Sequence, residues 1–184
     1  SIYSFMEMEH STAKFIGVLA VVLVISAACT KNLDDGFTQT SHIISGKVEK
    51  GPMVRGSQID MRTLDNNLVP IGSSYTTTIE NDAGDFNFGA LKVDSPYAKL
   101  TADGYFFNEV GGSLSSSTIK LDAIVDLSDN ATVNVNVLTH LKSNRIVHLV
   151  TDEKKSFKDA NSQAQNELLS QFGLQRYADT DASQ

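Results

Sequence analysis

Apolar and polar residues alternate along the middle of the chain, over residues 42–127. In "SQIDMRTLD", Ile59, Met61 and Thr63 fall on one face, and "STIKLDAIVDL" repeats the pattern with Ile119 and Leu121. A two-residue period is typical of strands with one buried face, and the Gly, Pro, Asn and Asp residues between such stretches are typical of turns. Because no helical pattern interrupts the strands, the region predicts a mainly β domain, a seven-stranded antiparallel β-sandwich.

The period changes near Asn136. The stretch "VLTHLKSNRIVHLV" places Leu138, Leu141, Arg145 and Leu149 at helical spacing. We therefore expect a helix there, as the first arm of a helical hairpin over residues 128–175.

A second helix is predicted after the linker "TDEKK". Ser156 suits the N-cap position because Asp159 follows at the third helical position, and Gly173 with Leu174 is typical of a helix stop. The apolar stripe of this helix consists of Phe157, Ala160, Ala164, Leu168 and Phe172. A polar tail over residues 176–184 comes next, which can lead into further domains.

An apolar run of about eleven residues, 15–25, precedes the only cysteine of the chain. It follows Lys14 and ends in the small residues Ala27 and Ala28 before Cys29. A membrane-spanning helix needs roughly 20 apolar residues, so this run is too short to span. A basic residue, a short apolar core and small residues before a cut are typical of a secretory signal peptide. We expect residues 1–28 to be that signal peptide, including a signal helix.

The sequence around Cys29 resembles the lipobox of bacterial lipoproteins. The resemblance implies cleavage between Ala28 and Cys29, with Cys29 carrying acyl chains such as palmitate on its sulfur and amine. The family prefers leucine three residues earlier, where this chain has Ser26. A secreted protein with a free thiol, or a short buried helix, are the alternatives.

Residues 29–41 then form a polar tether between the predicted lipid and the sandwich. The pair Asp34 and Asp35 is similar to the short acidic signals that send some lipoproteins to the cell surface. A pair of solvated acids is the alternative interpretation. The expected location is therefore the cell envelope, as an outer-membrane lipoprotein exposed at the surface.

The predicted sandwich resembles the carboxypeptidase regulatory-like domains, over about residues 42–110. The resemblance rests on "ISGKVEKGPMVRGSQIDMRTL", "TTTIENDAGDFNFGAL" and "PYAKLTADGY". The positions that fill the family pattern are Gly46, Gly56, Asn81 or Asp82, Gly84, Phe86, Gly104 and Tyr105. It implies a transthyretin-like (prealbumin-like) fold without peptidase activity, often found at the N-terminus of surface lipoproteins. The later part of the chain, residues 102–150, is also similar to a sandwich-plus-helix module of large bacterial lipoproteins.

Composition narrows the choice of partners. The formal net charge of -7 and the lack of a Lys/Arg cluster argue against nucleic acid. A single cysteine excludes an intramolecular disulfide and a cysteine-rich zinc site.

Three polar stretches offer candidate chemistry, and each has a simpler explanation. Asn81, Asp82 and Asp85 suggest calcium, but they lack the spacing of a calcium loop, and a turn between strands explains them. His140 and His148 are eight residues apart, too far for the usual metal-binding pair, and are expected to be partly exposed. The serine-rich stretch 111–118 lacks a nucleophile motif and is expected to be a flexible turn before Ile119.

Tyr105, Phe106 and Phe107 form the densest aromatic cluster. Side chains alternate along a strand, so the three cannot all face one core. Phe106 and Phe107 are expected to point to opposite faces, with one of them packed under the helices. The alternative is an exposed aromatic anchor that contacts a protein or glycan partner.

These patterns favour a non-enzymatic, lipid-anchored envelope protein whose sandwich is a stalk or adaptor domain. The predicted site residues are Cys29 for lipidation, Ala28 and Cys29 for cleavage, and Tyr105, Phe106 and Phe107 for partner contact. No catalytic residue, metal or cofactor is predicted. The alternatives are a surface glycan- or protein-binding module, and the N-terminal part of a larger surface lipoprotein whose activity lies beyond residue 184.

Overall fold

The computed structural model of the chain describes residues 41–49, 51–128 and 132–177. These residues form a mainly β structure followed by two helices, as the sequence pattern predicts. The predicted signal peptide, nearly all of the predicted tether and most of the polar tail lie outside the described residues.

Nine strands occur in the described part of the chain. They are β1 (Ser41–Glu49), β2 (Gln58–Leu64), β3 (Pro70–Thr78), β4 (Asp85–Lys92), β5 (Tyr97–Gly104), β6 (Phe107–Asn108), β7 (Ser113–Leu114), β8 (Ile119–Asp126) and β9 (Thr132–Asn136).

The strands form three sheets. One has the order β4-β1-β9, the second β3-β2-β5-β8, and β6 pairs only with β7. All pairings in these sheets are antiparallel except β1 with β9, where Gly46 is the parallel partner of Val133.

The prediction of seven strands, all antiparallel, was therefore wrong in two respects. Eight strands rather than seven, β1 to β8, form before residue 128, including the two short strands after Gly104, and β9 forms inside the region predicted as helical hairpin. β8 belongs to one sheet and β9 to the other, so the chain crosses between sheets after β8. β9 then runs beside β1 in the same direction, which makes this pair parallel.

One hydrophobic core lies between the three-stranded and four-stranded sheets. Ile44 and Phe86 enter it from the first sheet, and Met61, Leu100 and Leu121 from the second. In β5 every second residue is buried, as the alternation of its sequence predicts. Residues of both sheets therefore contribute to one shared core.

Side chains of β3 also join the edges of the two sheets. The Tyr75 hydroxyl donates a 2.7 Å hydrogen bond to the Lys92 carbonyl, and the Thr77 hydroxyl donates one of 3.0 Å to the Asn87 carbonyl. Both acceptor carbonyls belong to the edge strand β4. These hydrogen bonds therefore satisfy carbonyl groups on the side of β4 where no neighbouring strand lies.

The two helices are α1 (Val137–Thr151) and α2 (Phe157–Gln171), followed by a 3-10 helix (Gln175–Tyr177). The predicted N-cap is confirmed: the Ser156 side chain accepts from the Asp159 backbone N–H. Past the C-cap residue of α2, Gly173 has a φ of +67°, and the Leu174 N–H donates to the Leu169 carbonyl at 2.8 Å. This is a glycine-type helix stop, as predicted.

A second hydrophobic cluster joins the helices to the outer face of the four-stranded sheet. The rings of Tyr97 and Phe157 lie 4.8 Å apart in it. Its buried residues are Leu64, Leu68, Ile124, Ile146, Leu149, Val150, Phe157, Ala160 and Ala164. The helices are therefore packed on the four-stranded sheet.

The predicted stripe of α2 was wrong at its C-terminal end. Leu169 is buried, whereas Phe172 is 56% exposed and Leu168 is only partly buried. The reason is that the last turn of α2 faces α1 and the 3-10 helix rather than a sheet.

Candidate partner-binding surface

Residues 105–118 form a projecting segment, which we call the aromatic hairpin. It contains β6 and β7, where Phe107 pairs with Leu114 and Asn108 with Ser113. The base of the hairpin is attached to the main structure by backbone contacts. Met53 and Phe106 form an antiparallel bridge, and the Phe107 N–H donates to the Pro52 carbonyl at 3.2 Å.

The three aromatic residues at the base of the hairpin alternate between exposed and partly buried positions. Phe106 packs against the core between the sheets, beside the fully buried Met53. Its neighbours Tyr105 and Phe107 are 44% and 43% exposed. Phe106 therefore fixes the hairpin, while Tyr105 and Phe107 present their rings to the surroundings.

This arrangement bears on one of the two interpretations of the aromatic cluster, the packing of a ring under the helices. Phe106 and Phe107 differ in direction, as expected, but the aromatic ring that is partly buried packs on the sheet core. Neither ring belongs to the cluster that contains the helices, so the expected packing under the helices was wrong. The reason is that Phe106 faces the core shared by the two sheets, whereas the helices pack on a separate cluster with Leu64 and Ile124.

Two aliphatic residues extend the exposed apolar surface of the hairpin. Val110, in the turn between β6 and β7, is fully exposed, and Leu114 is 53% exposed. Contiguous apolar surface on a protein marks contact sites more often than isolated apolar residues do.

Two polar side chains of the hairpin, Asn108 and Ser115, form hydrogen bonds within the hairpin itself. The Asn108 side-chain oxygen accepts from the N–H groups of Val110 and Gly111, each at 3.1 Å. The Ser115 hydroxyl accepts from the Phe106 N–H and donates to the Ser117 carbonyl. These hydrogen bonds stabilise the turn. The exposed apolar side chains are therefore the main groups of the hairpin that are available for contact with a partner. They also show that the stretch 111–118 contains a strand and is not only a turn before β8.

The described chain begins and ends at opposite ends of the sheets. Ser41 starts β1, whereas Glu49, at its other end, is the partner of Asn136. α1 begins directly after Asn136, and Tyr177 lines a cleft together with Leu138 of its first turn. We call these two sides the Ser41 end and the exit end, the latter being the side of Asn136. Since β1 has nine residues, the two ends are roughly 26 Å apart along it.

The aromatic hairpin lies at the exit end. Asp85, at the start of β4, is the partner of Lys47 near the exit end of β1. β3 ends at Thr78, shortly before Asp85 in the chain, so β3 also ends at the exit end. Gln58 of β2 is the partner of both Thr78 in β3 and Asp103 in β5. β5 therefore also ends at the exit end, and the hairpin follows it directly.

An apolar cleft of about 230 Å³ lies between α1, α2 and the 3-10 helix, also at the exit end. Its wall includes the side chains of Lys142 and Gln165, which form a 3.0 Å hydrogen bond. The other lining residues are Leu138, Leu168, Leu169, Leu174 and Tyr177. Sequence analysis missed this cleft because it interpreted Leu168 as part of a core stripe.

Ion pairs join the two helices on their polar side. Arg145 binds Glu167 through two nitrogens, at 2.7 and 3.0 Å, and Glu153 at 3.3 Å. The guanidinium, helped by the Gln163 amide, lowers the pKa of Glu167 to about 2. Arg145, which the sequence placed only as a helix position, is therefore the main electrostatic link between α1 and α2.

The other polar candidates have local partners. Asn81 holds its turn by accepting from the N–H groups of Ala83 and Asp85, and its amide lowers the pKa of the Asp85 carboxyl. His140 accepts from the Asp122 N–H at 3.1 Å, while His148 lies 2.6 Å from the Asp152 carboxylate. Within residues 41–49, 51–128 and 132–177, no group of three or more His, Cys, Asp or Glu side chains is arranged to hold a metal ion.

Cys29 and Ala28 lie outside the described residues, so their predicted roles remain predictions. Among the helices that the structure describes, none has the length and apolar character to cross a membrane. No family model matches the chain, and no curated protein or solved structure shows significant similarity to it.

Proposed function

We propose that the chain is a non-enzymatic, lipid-anchored protein of the bacterial cell envelope, with its two packed sheets serving as a stalk or adaptor domain. The observation that carries this proposal is the position of the first and last described residues, Ser41 and Tyr177. The chain enters the sheets at Ser41 and leaves the described structure at Tyr177, at the opposite end. Because the chain enters this domain at one end and leaves it at the other, the domain separates the preceding segment from the following segment.

The stalk is proposed to be a transthyretin-like β-sandwich. Without the two-residue strands β6 and β7, seven strands remain in the three-stranded and four-stranded sheets. They share one core, which supports a two-layer sandwich. The parallel pair of β1 with β9 is an addition to the antiparallel pattern that the sequence suggested.

The anchor is proposed to be the lipid on Cys29. Residues 29–41 can span at most roughly 43–47 Å when extended, at about 3.3–3.6 Å per residue. The Ser41 end would then be held near the membrane, and the exit end would face away from it. Several acyl chains provide durable attachment, since each buried methylene contributes about 0.8 kcal/mol.

Fractionation of cells that express the full chain tests the anchor. We expect the unchanged chain in the membrane fraction and the Cys29→Ser variant in the soluble fraction or in an unprocessed form. The matched control is Asp34→Asn with Asp35→Asn, which should keep membrane attachment and lose only exposure to added protease. A Cys29→Ser chain that is processed and stays on the membrane would contradict lipid anchoring.

The second candidate is a surface binding module that uses Tyr105 and Phe107. The exposed apolar face of the aromatic hairpin favours it. A glycan array probed with the full chain tests the glycan form of this candidate. Binding that is lost in Phe107→Ser and kept in Ser116→Ala would support it, and binding that is equal in both variants would count against it.

A further inference from the structure

Exposed apolar side chains are concentrated in two places at the exit end. Ten large apolar residues are exposed in the described part of the chain, and seven of them belong to the aromatic hairpin or to the helices around the cleft. Those of the hairpin are Tyr105, Phe107, Val110 and Leu114, and those of the helical region are Leu141, Phe172 and Tyr177. This clustering is the pattern of a contact surface rather than of scattered surface residues.

The two places have opposite shapes. The hairpin is a protrusion whose tip residue, Val110, is fully exposed. Its base is fixed by Phe106 in the sheet core, so the tip has a defined position. The cleft between the helices is a concavity of about 230 Å³ with mainly apolar walls. An apolar protrusion and an apolar concavity are complementary in both shape and polarity.

Charges beside the two places are also complementary. Glu109 precedes Val110 at the hairpin tip and is exposed. Tyr177 lines the cleft, and the guanidinium of the exposed Arg176 lies 4.8 Å from the ring centre of Tyr177. Insertion of the tip into the cleft of another copy would bring these opposite charges to the same rim, which favours correct orientation.

We propose that two copies of the chain pair at their exit ends, each placing the tip of its aromatic hairpin in the helical cleft of the other. A protrusion and a matching concavity on the same end of a molecule allow a two-fold arrangement in which the contact of tip and cleft forms twice and the assembly closes. The pairing itself does not require the lipid at Cys29, and only the argument against a lipid surface rests on the proposed anchor.

Two observations favour a second copy over a glycan or a lipid surface. The Asn108 and Ser115 side chains are engaged within the hairpin, so they are poorly placed to bind the hydroxyl groups of a sugar. The hairpin also lies on the opposite end from Ser41, where the tether to the proposed anchor begins.

Cysteine cross-linking tests the pairing directly, because Cys29 is the only cysteine of the chain. The full chain with Cys29→Ser, purified in a mild detergent, provides a background without thiols. One preparation carries Val110→Cys and a second carries Leu168→Cys, and the two are mixed and mildly oxidised. A disulfide requires Cα atoms within roughly 7 Å, so it reports on insertion of the tip.

We expect several-fold more disulfide-linked dimer from this mixture than from Val110→Cys mixed with Asn66→Cys, which places the thiol in an exposed turn at the Ser41 end. Equal yields from the two mixtures would overturn the proposal. Sedimentation velocity of the Cys29→Ser chain provides a second test, which does not depend on the introduced cysteines. Dimers that dissociate in Val110→Asp would support the pairing.

Monomers at all concentrations would overturn it. Monomers that bind phosphatidylcholine vesicles through Val110 would overturn it in favour of a lipid surface. Because Cys29 is serine throughout, either result is independent of the fractionation that tests the anchor.

Discussion

Met53 and Phe106 pair as an antiparallel bridge at the base of the aromatic hairpin, where Met53 is fully buried and Phe106 packs on the same core. The bridge fixes a projecting segment to the interior of the protein. The residues on either side of Phe106, Tyr105 and Phe107, are exposed. Phe106 therefore contributes to stability, while Tyr105 and Phe107 are the residues of the proposed partner contact.

Truncation of Phe106 should destabilise the protein, whereas truncation of Phe107 should not. Phe106→Ala removes a ring that is partly buried in the core, and we expect a loss of about 2 kcal/mol in the free energy of unfolding, below the values for fully buried rings. Phe107→Ala should change it by less than about 0.5 kcal/mol. Urea unfolding followed by circular dichroism measures both, and equal losses would contradict the division of roles.

The close approach of β1 and β9 should make Gly46 intolerant of a side chain. A Cβ atom at this position would collide with the backbone carbonyl of Val133, a partner that cannot move without breaking the parallel pair. We expect Gly46→Ala to lower the free energy of unfolding by roughly 1–3 kcal/mol.

Ser45→Ala, the adjacent position, is the control for Gly46→Ala and should stay within about 0.5 kcal/mol of the unchanged chain. Thermal unfolding of both variants makes the comparison. An unfolding temperature for Gly46→Ala equal to that of Ser45→Ala would show that β9 does not lie beside β1 as described.

The pairing of Glu167 with Arg145 should stabilise the helices in a pH-dependent way. The pKa of Glu167 is about 2 in the folded protein and near 4.5 in its ordinary state, so its contribution is present above pH 4.5 and is lost as the pH falls toward 2. Because the pair is partly exposed to solvent, we expect Glu167→Gln to cost only roughly 0.5–1 kcal/mol at neutral pH.

The cost of Glu167→Gln should shrink as the pH is lowered through this range, since the unchanged chain then also loses the charge. Glu80→Gln makes the same chemical change at an exposed position just after β3, away from the helices, and is the control that should show little cost at any pH. Unfolding measured from about pH 7 to about pH 2.5 tests this. A cost for Glu167→Gln that does not change with pH would contradict an electrostatic role.

Features set by neighbouring residues were predictable from the sequence. The N-cap at Ser156 and the stop at Gly173 depend on groups within one helical turn, and both form as expected. Alternation likewise placed Ile59, Met61 and Thr63 on one face, and all three are buried in β2.

Features that depend on distant parts of the chain were not predictable in this way. β9 has only five residues, and its partner β1 lies far back along the chain. The signal that could have found it is the alternation of Val133 and Val135 with Asn134. The cleft was missed because it needs α1, α2 and the 3-10 helix together, and the periodicity of α2 alone does not show what its last turn faces.

Mass spectrometry of the mature protein, extracted from cell membranes, tests the proposed anchor most directly. The expected N-terminal residue is Cys29, with the added mass of acyl chains on its sulfur and amine and with residues 1–28 absent. A chain recovered with residues 1–28 still attached, or with an unmodified thiol at Cys29, would contradict the proposal that this is a lipid-anchored envelope protein.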